Sequence, residues 1–259
     1  MALLLGVLLG TAAWLQSVWP QRNAADDARA VLLIRWLTTA LLSAAPVMLA
    51  AAAVLGAGSA PAASETGEIQ DALLTRLRPF EIVLGRLLAA LRPILLALAL
   101  SCAFWLLAFL APWKAGDIGF GAILLAHLAL LCSVLMIGSV AALFAGNRRP
   151  GRNWGRGAGV ALAWAALCLS AILLVDPQVR RMDDPIGLIE GTLLFNPISA
   201  VTTPLKLDLL RTQWLYGHTA APEFEFAYPP PIASAAVFLG IGWAAMAMTA
   251  WRLRAAYRN

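Results

Sequence analysis

At 259 residues the chain has room for about six membrane spans of roughly 20 residues with their loops, each matched to a hydrocarbon core about 30 Å thick. It is 61% hydrophobic and 13% charged, with a mean hydropathy of +0.78, whereas soluble domains are nearer half apolar and a quarter charged. That composition excludes an ordinary soluble domain and predicts an all-α, polytopic membrane protein forming a single transmembrane domain. The net charge of +5 does not call for nucleic acid, because the basic residues cluster in short loops and at the C-terminus, where they report topology.

The first apolar stretch, 1–19, has no charged residue and lacks the basic start of a secretory signal, so it reads as the first span. A short charged connector leads to span two, about 31–57, where Arg35 is placed to snorkel to the interface. The segment 64–86 is polar and amphipathic. Ile69, Ala72, Leu73 and Leu77 recur at helical spacing, with Glu68, Gln70, Asp71, Thr75 and Arg76 between them. Thr66 suits an N-cap, and Glu68 puts a negative charge in the first turn, where the helix dipole favours it. Pro79 biases Arg78 away from helical geometry, so the chain is expected to turn there and restart as a helix from about Phe80.

That second helix enters span three, about 87–111, with Arg92 near its edge and Pro93 positioned to kink it. A tight connector precedes span four, about 119–145. Residues Asn147 to Arg156 read NRRPGRNWGR, with four arginines and no acid, and mark a cytoplasmic loop. Gly155, Gly157 and Gly159 superficially suggest a dinucleotide fingerprint. No strand precedes them and an apolar span follows, at about 158–175, so that possibility is rejected.

The longest non-spanning segment, 176–230, carries seven acids and four bases. Asp183-Asp184-Pro185 signals a helix start ahead of Ile186 to Phe195. Asn196-Pro197 interrupts it, and a second amphipathic stretch follows from Val201 to Leu215. Both are too short to cross a bilayer and too apolar for open water, which predicts interfacial or re-entrant helices. Span six is expected at about 232–251, followed by a basic tail. With six spans, segment 64–86, the arginine loop and the tail all fall on the cytoplasmic side, leaving 176–230 external.

No catalytic constellation stands out. The sequence has no phosphate-loop motif, so ATP hydrolysis by this chain has no support. Cys102, Cys132 and Cys168 lie within apolar runs and read as packing residues, with no metal or cofactor set. His127 lies mid-span with no acidic residue in any span to relay a proton, which favours a packing or hydrogen-bonding role.

In segment 64–86 the sequence resembles the permease subunits of ATP-binding-cassette exporters of the type 2 family. The register gives Gly67, Ile69, Leu73, Thr75, Leu77 and Pro79, then Glu81-Ile82-Val83-Leu84-Gly85-Arg86. Pro79 and Gly85 match the family pattern outright, and Arg86 keeps the charge type. Glu68, Arg76 and Arg78 stand where a Thr, a Pro and a Ser are usual. Asn196-Pro197 is similar to an Asn-Pro element of the same family, and the expected six spans and basic tail agree.

The resemblance implies a multi-pass permease subunit of the cell membrane, and of a bacterial inner membrane in particular. Its coupling segment between spans two and three would dock a separate ATPase subunit, which would carry the ATP and magnesium. A second permease subunit, identical or not, would complete the transporter within the bilayer, and this chain would not be an enzyme by itself. On that basis Glu68, Asp71, Arg76, Arg78, Pro79, Phe80, Glu81, Gly85 and Arg86 are the docking residues, and Asn196 and Pro197 are candidates for an external gate. The alternative from another class is a membrane anchor or assembly scaffold that docks an ATPase-like partner without moving substrate.

Overall fold

The computed structural model describes residues 28–60, 77–110, 119–145, 155–157, 159–160, 162–164, 185–206 and 226–256. Among them every regular element is a helix: α1 (Ala28–Gly58), α2 (Pro79–Leu110), α3 (Phe120–Ala145), α4 (Pro185–Leu194), α5 (Pro197–Thr202) and α6 (Pro231–Ala256). Residues 155–157, 159–160 and 162–164 are helical as well.

Among the described residues, four segments are long and apolar enough to cross a membrane: Ala40–Gly58, Pro79–Ala103, Phe120–Ala145 and Pro231–Ala255. They are the counterparts of expected spans two, three, four and six, and they establish membrane-protein character. Span one and the second half of span five lie outside the described residues.

The helices show how a chain apolar on every side sorts its faces. In α2 the buried residues Val83, Leu87, Leu91, Ile94 and Leu98 recur every three or four positions, while Leu88, Leu96 and Leu100 are exposed. In water that second face would be a liability, whereas a bilayer accommodates it. The helix starts at Pro79, one residue before the expected restart at Phe80, and remains helical on both sides of Pro93. A proline in a membrane helix forfeits one backbone hydrogen bond, and helical backbone on both sides keeps the remaining groups satisfied. α3 is the most enclosed of the four, with 72% of its apolar window buried against 28% for α2.

Two compact units emerge from the contacts. Unit one comprises 1–47, 98–130 and 167–235; unit two comprises 48–97, 131–166 and 236–259. Unit two contains eleven of the 19 basic residues and four of the 14 acids, a net of +7, while unit one holds the other eight and ten, a net of −2. The topology-setting positive charge is therefore concentrated in one unit.

Unit two is knit by glycine. A Cβ on Gly56 of α1 would lie 2.5 Å from Gly138 Cα and 2.7 Å from its carbonyl carbon in α3, so the two backbones touch. Gly157, buried, would likewise place a Cβ 2.6 Å from Ala57 Cβ and 3.0 Å from Ala53 O. Such close approach is how membrane helices gain packing energy when lipid is as apolar as leucine. Gly157 is thus a packing residue in a helix.

In unit one, α4 begins at Pro185, as the Asp-Asp-Pro sequence foretold. After it, Asn196 caps a short helix, α5, that begins at Pro197 and ends at Thr202. Of the expected stretch Val201 to Leu215, the first two residues are helical and those from 207 on lie outside the described residues. The turn 203–206 follows, with Lys206 in the left-handed region at φ 56°.

Candidate functional site

The start of α2 is closed by a side-chain cap from its own first turn. Arg78 precedes the helix, Pro79 opens it, and Glu81 reaches back so that its Oε2 accepts from Arg78 N–H at 2.8 Å. Glu81 thereby satisfies a donor that the helix itself cannot, and its charge meets the positive end of the helix dipole. Proline at the first helical position costs nothing, since its missing N–H would have had no partner there.

Two side chains tie this start to other helices of unit two. Arg86 Nε donates to Ser59 O, just past the end of α1, at 3.2 Å. Ser59 closes that end itself, with its Oγ donating to Gly56 O at 2.7 Å. Phe80 stacks on Trp243 of α6, with ring centroids 5.0 Å apart and an interplanar angle of 19°.

Of the docking residues expected from the sequence, Arg78, Glu81 and Gly85 are exposed, and Pro79, Phe80 and Arg86 are half-buried. Nothing stands within 4 Å of a Cβ on Gly85. Glu68, Asp71 and Arg76 lie outside the described residues. Phe80 and Arg86 therefore do internal work, joining α2 to α6 and to the end of α1.

The C-terminal end of α3 is held by two further arginines. Arg156 Nη1 donates to Phe144 O and to Ala145 O, at 3.1 Å each. Arg252 Nη1, from α6, donates to Leu143 O at 3.0 Å. The last carbonyls of a helix have no partner within it and carry the negative end of its dipole, so a guanidinium is the natural cap. Arg156 lies at the end of the arginine-rich stretch 147–156 that follows α3, and that cluster of bases was the signal available for it in the sequence. Arg252 lies 109 residues from its acceptor and gave no such signal.

In unit one, Asn196 and Pro197 are both buried. Asn196 Oδ1 accepts from Ile198 N–H at 2.9 Å and from Ser199 N–H at 3.2 Å, which makes the Asn-Pro element a helix cap. Glu190 of α4 accepts from Ala227 N–H at 2.9 Å, fastening the stretch that leads into α6. Asn196→Ala leaves one buried and one part-buried amide bare and is expected to cost about 2 kcal/mol. Asn196→Asp, which keeps the acceptor, is expected to retain most of that stability, as comparison of thermal unfolding in detergent would show.

His127 is buried in α3. Its Nδ1 lies 2.9 Å from Ile123 O and its Nε2 3.1 Å from Ser101 Oγ. A carbonyl only accepts, so Nδ1 carries the proton, and in the neutral ring Nε2 accepts from the serine hydroxyl. This is the hydrogen-bonding role expected of it. Among the described residues no group of three or more His, Cys, Asp or Glu side chains is placed to hold a metal.

No protein-family model matches the chain, and neither a curated protein nor a solved structure matches it either.

Proposed function

We propose that this chain is the transmembrane permease subunit of an ATP-driven exporter of the type 2 ATP-binding-cassette kind, with segment 64–86 as its coupling element. The observation that carries this is the start of α2. A polar segment ends at an exposed, capped turn, Arg78 to Glu81, and the same helix continues without a break for 32 residues into apolar sequence. A helix of that length is a rigid lever between a soluble partner and the bilayer. Its start is bound to α1 through Arg86 and to α6 through Phe80, so a push on the turn is shared among three helices of unit two.

In this reading a separate ATPase subunit grips the turn, and nucleotide-driven closure of that subunit moves the helices. Six spans, a second permease subunit and a place in a bacterial inner membrane complete the proposal. The test is co-purification with a phosphate-loop ATPase encoded beside this chain, followed by reconstitution in liposomes. Stable association with ATP hydrolysis stimulated by a transported compound is the expected result. Association without any stimulated hydrolysis or transport would favour the anchoring scaffold, and absence of association would remove both.

A further inference from the structure

We propose that unit two holds an anionic phospholipid by its phosphate at the C-terminal end of α3, between Arg156 and Arg252. The two guanidinium groups are bound to three consecutive carbonyls, those of Leu143, Phe144 and Ala145, which sets two full positive charges side by side. The helix end offsets only about half an elementary charge. Among the described residues neither arginine meets a carboxylate. The surrounding sequence supplies none either: 131–166 and 236–259 contain seven arginines and no acidic side chain.

Each guanidinium spends only Nη1 on the helix, leaving Nε and Nη2 as donors in the planar fork that matches a phosphate. What favours a lipid over a free anion is the apolar surface adjoining the pair in the chain. Phe144, whose carbonyl Arg156 takes, is 58% exposed, and Trp251, the neighbour of Arg252, is 69% exposed. Aromatic rings beside cations at the end of a membrane helix suit the headgroup level, and basic sites between such helices bind anionic headgroups. This site does not depend on the transport proposal, and a scaffold would bind the same lipid.

The full chain, purified in neutral detergent, is titrated with phosphatidylglycerol, phosphatidylcholine or inorganic phosphate while thermal unfolding is followed. Phosphatidylglycerol is expected to raise the melting temperature saturably, and the other two are expected to leave it unchanged at equal concentration. The R156Q/R252Q variant is expected to need about tenfold more phosphatidylglycerol for half the effect. R254Q, which removes an exposed neighbouring charge, is expected to behave as wild type. An equal shift from inorganic phosphate would show an adventitious anion site and overturn the proposal. So would a loss in R254Q as large as in R252Q, or no response of the wild type. If the double variant does not fold, R252Q alone keeps the Arg156 cap and is expected to bind severalfold more weakly; unchanged binding there would also overturn it.

Discussion

Gly56→Ala is expected to destabilise the protein by about 3 kcal/mol, toward the upper end of what overpacking costs. The added methyl would meet Gly138 backbone atoms at 2.5 and 2.7 Å, and backbone in the middle of a helix cannot swing aside as a side-chain tip can. The two helices must separate, and every contact along that crossing weakens with them. Neighbouring glycines supply the controls. A Cβ on Gly138 meets the end of Leu91 at 3.0 Å, a flexible group, so Gly138→Ala is expected to cost under about 1 kcal/mol. A Cβ on Gly58 meets nothing within 4 Å, and Gly58→Ala is expected to be close to neutral. Thermal unfolding of the three variants in one detergent checks this, and a Gly56→Ala protein as stable as Gly58→Ala would show that the helices are not held at that contact.

Reversing the charges at Arg76 and Arg78 is expected to weaken association with the ATPase partner by at least about tenfold while leaving stability within about 0.5 kcal/mol. Arg78 is exposed, and its bond with Glu81 uses the backbone N–H, which the substitution keeps. The loss would therefore be one of recognition. Phe80 needs a different design, because its ring rests on Trp243. Phe80→Ala removes a stacked pair worth about 0.5–1.5 kcal/mol as well as any partner contact. Trp243→Ala removes the same pair without touching the turn. If Phe80 acts only through Trp243, the two variants will match in stability and in ATPase association. If it also anchors the partner, Phe80→Ala alone will lose association. Wild-type association and transport in the Arg76 and Arg78 reversal would sink the coupling proposal.

The features read correctly from the sequence were the local ones. Membrane character followed from composition, and the helix starts at Pro79 and Pro185 followed from proline geometry and nearby acids. Asn196 was recognised as a break, and only the structure shows it starting α5 by capping. Four of the expected spans have counterparts for the same reason, since length and apolarity are properties of a single segment. Pairings between distant segments were not legible. Nothing near Gly56 in the chain points to Gly138, nor does anything near Phe80 point to Trp243. Membrane helices conceal such pairs because the buried and the lipid-facing sides are both apolar, and periodicity cannot distinguish them. Arg86 shows the same limit: its charge made it a docking candidate, while the end of α1, which it caps, could be seen only once the chain was folded.

The two arginines at the end of α3 also impose an order on synthesis. Arg156 lies 11 and 12 residues beyond its acceptors, so the helix can be closed as soon as the adjoining loop has left the ribosome. The hold from Arg252 waits until another 96 residues have been made and the helix bearing it has entered the bilayer. During that interval α3 stands with Leu143 O unclaimed by its final partner. Insertion of α6 is therefore the step at which Leu143 O gains its final partner and the end of α3 is closed.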